Sequence, residues 1–172
     1  MKIPELKIIG ITGIGEIEYG DNLAEIIFQA AQKQGKCLED GDILVVTQKI
    51  ISKAEGKIVD LSTIKPSKFA YDFSKKNNKD PRLVQLILDN SKNLIRVDEN
   101  SGTIISETFH GFICANAGID SSNIDGDELV SLLPDDSDKS ALGIRNNLES
   151  MGKNIAVIIS DTFGRPWREG QV

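Results

Sequence analysis

Two short segments of this chain place an acidic residue directly after a strand-like apolar run. Asp120 lies in Asn116-Ala-Gly-Ile-Asp120-Ser-Ser-Asn123, and Asp161 opens Asp161-Thr162-Phe-Gly-Arg165-Pro-Trp167-Arg168 after Ile155-Ala-Val-Ile-Ile-Ser160. Carboxylates at strand ends, with glycines and arginines nearby, suit a Mg²⁺ or Mn²⁺ ion that bridges phosphates. Hard cations take oxygen ligands, and phosphate oxygens need positive charge close by. On that reading Asp120 and Asp161 ligate metal, the Thr162 hydroxyl completes a shell, and Asn123 hydrogen-bonds a nucleotide phosphate or ribose. The competing reading is local: Asp120 or Asn123 closes an Asx-type turn or caps a short helix, and Asp161 is a cap or turn residue.

Two further segments have the composition of phosphate contacts. In Gly10-Ile-Thr-Gly13-Ile14-Gly15-Glu16-Ile17, glycines between a strand and a helix let backbone N–H groups approach an anion, although the spacing fits neither GxGxxG nor GxxxxGK[ST] and suits a plain tight turn equally well. Thr47-Gln48-Lys49-Ile-Ile-Ser52-Lys53-Ala-Glu-Gly56 follows an apolar strand and offers two ammonium groups, with Lys53 favoured over Lys49, against the alternative of solvated lysines. His110 is the single histidine, which excludes a His-based triad and a multi-histidine metal site. It reads as a packed or capping residue. Asp135-Asp136-Ser-Asp138 reads as a helix N-terminus rather than a calcium site. Trp167 either stacks on a ligand ring or covers a sheet edge.

These residues belong to a chain of 172 residues with 40% apolar residues and a formal net charge of -6. That charge argues against an electrostatic nucleic-acid binder. No run approaches the roughly 18 apolar residues of a membrane span. The N-terminus interleaves charges with apolar residues and lacks a secretory cleavage site, so a cytoplasmic protein is expected. Cys37 and Cys114 stand far apart without CxxC spacing and read as reduced thiols.

The elements that must position the candidate residues alternate between strand and helix. Leu6–Ile11 reads as a strand. A helix follows with Asp21 as N-cap, a face of Leu23, Ile26, Ile27, Ala30 and Ala31, and Gly35 at its end. Ile43–Val46 reads as a strand buried on both faces. Pro66–Lys76 and Pro81–Leu88 read as helices, the second capped by Asp80, and form a small helical subdomain near 62–92. Leu94–Val97, Thr103–Ser106 and Gly111–Ala115 read as a meander with a turn at Glu99-Asn100-Ser101-Gly102. A helix opens at Pro134–Asp138 and ends at Gly152, before the final strand. The fold class expected is α/β in the mixed sense, a mixed sheet with flanking helices.

In combination, the glycine-rich turn, Val45-Val46-Thr47-Gln48-Lys49 leading to Ser52-Lys53-Ala54-Glu55-Gly56, Ala115-Asn-Ala-Gly-Ile-Asp120-Ser-Ser-Asn123, Leu132-Leu-Pro134, and Ser160-Asp-Thr162 with Gly164-Arg-Pro166 resemble the coenzyme F420:L-glutamate ligases, the γ-glutamyl ligases of the deazaflavin coenzyme. The likeness spans essentially the whole chain. It implies that residues 1–172 are one GTP- and metal-binding ligase domain, neither P-loop nor Rossmann, working as a homodimer. The reaction implied is GTP-dependent attachment of L-glutamate to a deazaflavin precursor carboxylate by way of an acyl phosphate, supported by Mg²⁺ or Mn²⁺. Carried over by motif, Ile14, Gly15, Glu16 and Ile17 border the GTP, Gln48, Lys49, Lys53 and Asn123 contact it, Asp120 and Asp161 share one metal, and Thr162 binds a second. Lys53 and Asp161 are the residues placed at the chemistry.

The resemblance also carries a departure. Family members continue well past the point matching Gln171-Val172, into a part that supplies further GTP contacts and another metal ligand, so weak or absent ligase activity is expected of this chain alone. Two other readings are a related nucleotide-dependent carboxylate–amine ligase with another substrate and, different in class, a non-catalytic nucleotide- or deazaflavin-binding module.

Overall fold

A computed structural model describes residues 5–98, 102–120 and 128–161. Among them the chain forms five α-helices and seven strands, a mixed α/β fold. Parallel and antiparallel pairing both occur, in three small sheets rather than one: a β1–β7 pair, a β2–β6 pair and a β3–β4–β5 meander.

The first layer is built on β1 (Ile43–Thr47) and β7 (Ala156–Ser160), which run parallel with Thr47 opposite Ser160. Helices α1 (Leu23–Lys33) and α5 (Ser137–Ser150) pack on each other, and α5 packs on β7. Leu23, Ala24, Ile27 and Ala31 of α1 meet Leu44 and Val46 of β1, Ile51, and Ile144 and Leu148 of α5 in the main core. The N-cap of α1 is Asn22, which accepts the Glu25 N–H, and not Asp21. The Asp21 carboxylate instead accepts the Glu18 N–H at 2.8 Å and closes the turn one residue earlier.

Two expectations fail here for a shared reason, the lack of a covering layer among the described residues. Ile43–Val46 is not buried on both faces, since Ile43 and Val45 are each 62% exposed while Leu44 and Val46 are buried. Leu6–Ile11 forms no strand, and Leu6 and Ile8 lie in solvent. Its end is pinned by a side chain: the Gln34 amide accepts from the Thr12 N–H and donates to the Gly10 carbonyl.

Helix α2 (Gln48–Ala54) occupies the polar segment after β1 and turns Ile51 into the core. Strands β2 (Ile58–Asp60) and β6 (Leu129–Ser131) pair antiparallel, each only three residues long. Helices α3 (Lys68–Asn77) and α4 (Pro81–Asp89) pack together, with Ser67 and Asp80 as N-caps. Their Ala70, Phe73, Val84 and Ile87 share a second core with Ile104 and Ala117, so the helical segment near 62–92 forms one wall of a cluster that also includes the meander. The meander comprises β3 (Ser91–Val97), β4 (Ile104–Thr108) and β5 (Ile113–Ala115). Of the expected turn, Glu99, Asn100 and Ser101 lie outside the described residues.

Candidate functional site

The parallel pair β1–β7 sets the position of the candidate residues. Neighbouring strands lie about 5 Å apart, and Gln48 and Asp161 are each the first residue beyond paired strand ends, Thr47 and Ser160. Both therefore emerge at the same carboxyl-terminal edge. In parallel α/β sheets that edge is where ligands bind, because helices cover the faces and the loops beyond the strands leave a crevice.

Asp120 reaches the same region from a distant part of the chain. Its backbone exchanges both hydrogen bonds with Ser131, Asp120 N–H to the Ser131 carbonyl at 3.1 Å and Ser131 N–H to the Asp120 carbonyl at 2.8 Å. That bridge fastens the residue to β6, and its carboxylate pairs with Lys49 at 2.7 Å. The Lys49 side chain is 19% exposed and that of Asp120 is 43% exposed, so the pair sits at the rim of the interior with one side open to water. Asp161 is located by its effect on a neighbour. Burial pushes the Cys114 thiol up to about 11, the Asp161 carboxylate adds to the rise, and a hydrogen bond from the Gly118 N–H opposes it. Asp161 thus lies near enough to Cys114 of β5 for its charge to be felt there.

Segment 11–17 runs along the rim of the main core. Ile17 is buried in it and Ile11 and Ile14 pack against it, while Gly15 and Glu16 face solvent. Glu16 pairs with Lys53, whose side chain is only 13% exposed. Gly15 has no positive φ and open space where a Cβ would stand, so the fold itself does not require glycine there. Gln48 is buried. Its amide nitrogen donates to Ser52 Oγ at 2.5 Å and to the Leu132 carbonyl at 2.9 Å, and the same carbonyl accepts from Ser52 Oγ at 2.6 Å. This buried network locks the start of α2 against β6 and so sets where Lys49 and Lys53 emerge.

Of the residues singled out by sequence, the structure gathers Gln48, Lys49, Asp120 and Asp161 about one edge, with Lys53 and Glu16 paired further along α2. Asn123, Thr162, Arg165, Trp167 and Arg168 lie outside the described residues. His110 stacks on Phe112, and its Nε2 lies 2.8 Å from the Pro134 carbonyl and 3.0 Å from that of Asp135; both are acceptors, so that nitrogen carries the proton and the ring holds the start of α5. Cys37 and Cys114 are free thiols. Sequence reading missed Ser131, whose role in holding Asp120 rests on a three-residue strand too short to leave a periodic signal.

Among the described residues no three His, Cys, Asp or Glu side chains gather as a metal cage. The donor set that Asp120 and Asp161 offer is instead that of Mg²⁺, which takes one or two carboxylates and completes its shell with phosphate oxygens and water. The residues present fit such an ion.

Comparison with known proteins bears on the same residues. The model of the F420-0:gamma-glutamyl ligase family matches residues 12–172. The chain belongs to that family. Among curated relatives, the coenzyme F420:L-glutamate ligase of Methanothermobacter thermautotrophicus is 49% identical over 168 residues, which is 97% of this chain and 66% of that protein. The protein of the same name from Methanocaldococcus jannaschii is 47% identical over 88% of this chain and 57% of its own length. That of Methanopyrus kandleri is 40% identical over 99% of this chain and 65% of its own. This member of the F420-0:gamma-glutamyl ligase family therefore spans less than two thirds of the length of the relatives it matches. All the site residues described above fall inside the matched range.

Proposed function

We propose that this chain carries the nucleotide- and metal-binding part of a GTP-dependent ligase that joins L-glutamate to the carboxylate of a deazaflavin coenzyme precursor. The observation that supports it best is the Lys49–Asp120 pair at the carboxyl edge of β1–β7, the edge from which Asp161 also emerges. A cation and an anion site are thereby adjacent, as a metal–triphosphate complex needs. The activity for which the curated relatives are named supplies the substrate class.

In this reading Asp120 and Asp161 hold a Mg²⁺ or Mn²⁺ ion, with Thr162 on a second. When bound, the cation offsets charge on the phosphoryl group in transfer. Lys49 and Lys53 exchange their carboxylate partners for phosphate oxygens. Ile14, Gly15, Glu16 and Ile17 border the nucleotide, and the absent Cβ of Gly15 lets backbone N–H groups approach it. Gln48 and Asn123 hold it from either side. The substrate carboxylate oxygen forms a bond to the γ-phosphorus as the bond to the β-phosphate oxygen breaks and GDP leaves. The glutamate nitrogen then bonds to the acyl carbon, the carbon–oxygen bond to phosphate breaks, and inorganic phosphate leaves as the amine loses its proton. Lys53 and Asp161 stand nearest these events. The rest of the protein's contribution is position and charge. The working form in this reading is a cytoplasmic homodimer.

The test is equilibrium binding of GTP to this chain with and without Mn²⁺, followed by phosphate release on adding the deazaflavin precursor and L-glutamate. Mn²⁺-dependent GTP binding that Asp120→Asn and Asp161→Asn each weaken strongly but measurably is expected, with glutamate-dependent phosphate release adding the ligase step. Binding without any release reduces the reading to a nucleotide-binding module, and no binding removes both.

A further inference from the structure

Lys79 is half-buried between α3 and α4, and its surroundings are unusual for a lysine. Its ammonium donates to the Gly102 carbonyl at 2.6 Å and to Asn116 Oδ1 at 2.9 Å, and no carboxylate among the described residues pairs with it. Removal from water without a compensating charge holds its pKa below the ordinary lysine value. An ammonium kept in such a place is costly unless every donor is used well. Its position is fixed from both sides, by Asn78 in the left-handed conformation that ends α3 and by Asp80 capping α4.

The group it binds is strained. Asn116, Ala117 and Gly118 are three consecutive residues with positive φ, at 54°, 54° and 72°. A left-handed conformation is unfavourable for an L-residue with a Cβ, less so for asparagine, and persists only where neighbours over-determine it. This turn leads within two residues to Asp120. We propose that Lys79 is a positioning residue for Asp120: by tying the Asn116 side chain to the β3–β4 turn at Gly102, it holds the left-handed turn closed and so fixes the carboxylate against Lys49. The role of Asp120 as a ligand rests on the proposed function, whereas the mechanical link does not.

Lys79→Met keeps the aliphatic stem and removes the donors, and Lys79→Arg keeps donors. Amide hydrogen exchange at Ile119 and Asp120 should quicken about tenfold or more in Lys79→Met. It should stay unchanged at Leu44–Val46 and recover in Lys79→Arg. Should Lys79→Met not fold, Asn116→Ala removes the acceptor while keeping a Cβ in the left-handed turn and should give the same local quickening. Unchanged exchange at Ile119 and Asp120 overturns the proposal. A double-mutant cycle reads the functional link: Mn²⁺ affinity in the presence of GTP should fall about tenfold in Lys79→Met, and Lys79→Met should add nothing in an Asp120→Asn background. An equal loss in both backgrounds means Lys79 acts elsewhere and also overturns it. If the native chain binds no Mn²⁺–GTP, the proposed function fails while the exchange arm still decides the role of Lys79.

Discussion

Lys49 and Asp120 hold each other at 2.7 Å, so each blocks the partner that the other would take in a nucleotide complex. The two ligands then respond in opposite directions to the loss of the lysine. In Lys49→Met, Mn²⁺ alone should bind a few-fold more tightly, because a half-exposed pair worth about 0.2–1 kcal/mol no longer competes for Asp120. GTP in the presence of Mn²⁺ should bind more weakly by about 1.5–3 kcal/mol, the worth of a hydrogen bond to a charged group. Mn²⁺ titration by electron paramagnetic resonance and equilibrium dialysis of GTP measure the two; a change of the same sign in both contradicts the partner exchange. A second residue-scale test concerns acid stability. Arg82 hydrogen-bonds Asp80 and holds its carboxyl below the ordinary range, while the same carboxylate caps α4. Because the folded value is the lower one, the stabilisation is complete above the unfolded value of about 3.9 and is lost as pH falls through the folded value. Asp80→Ala should cost about 1–2 kcal/mol near neutrality, and denaturant melts should show that difference shrinking only in strong acid. Asp80 and Pro81 are legible in the sequence because cap and first-turn proline act locally. Asp21 and Asn22 are not distinguishable that way, since both are good caps and the choice depended on Asp21 being drawn to the Glu18 N–H.

At the scale of elements, β1 divides sharply between its faces. Leu44 packs in the main core, whereas Val45, paired with Ile158 on β7, is exposed. Leu44→Ala should destabilise the chain by about 2–5 kcal/mol, and Val45→Lys should stay within roughly 0.5 kcal/mol, both by chemical denaturation. A large loss in Val45→Lys would mean that its face is covered in solution. The same strand shows where sequence reading stops. A run of four apolar residues announces a strand but not how many layers cover it, because that depends on elements distant in the chain. Helices α3, α4 and α5 were legible through local caps and an apolar face of period 3.6. Helix α2 was not, since Ile50, Ile51 and Ala54 form too short a stripe among lysines. Gln48 shows the corresponding limit in the site: its type suggested a ligand contact, but the buried network that its amide nitrogen forms with Ser52 and with Leu132, 84 positions away, left no local signal. Asp161 was visible because a strand-end acid is a local pattern, whereas Asp120 lies beyond the 3-10 turn Asn116–Gly118 that follows β5, and its pairing with Lys49 depended on the antiparallel bridge to Ser131.

The whole molecule carries a formal net charge of -6, and a nucleoside triphosphate is itself a polyanion. The average field therefore opposes the nucleotide, and only the local lysines at the β1–β7 edge favour it. The paired lysines make that opposition worse in the free chain, because Asp120 and Glu16 already neutralise them. On the proposed function, a divalent cation at Asp120 and Asp161 would reverse both terms at once: it would free Lys49 and add positive charge where the phosphates would lie. Metal and nucleotide should then bind with positive coupling, and the coupling must be reciprocal, each raising the affinity for the other by the same factor. In thermal melts, GTP with chelator and Mn²⁺ alone should each shift the midpoint little. Together, at about a hundredfold over the dissociation constant, they should stabilise by about 2.7 kcal/mol, which at 2–4 °C per kcal/mol for a domain of this size is roughly 5–10 °C. Raising the salt concentration screens the repulsion between chain and nucleotide more than the short contacts at the site. The shift with GTP alone should therefore grow with salt while the joint shift changes less. Simple additivity of the two separate shifts would mean that metal and nucleotide do not meet at the Lys49–Asp120 pair.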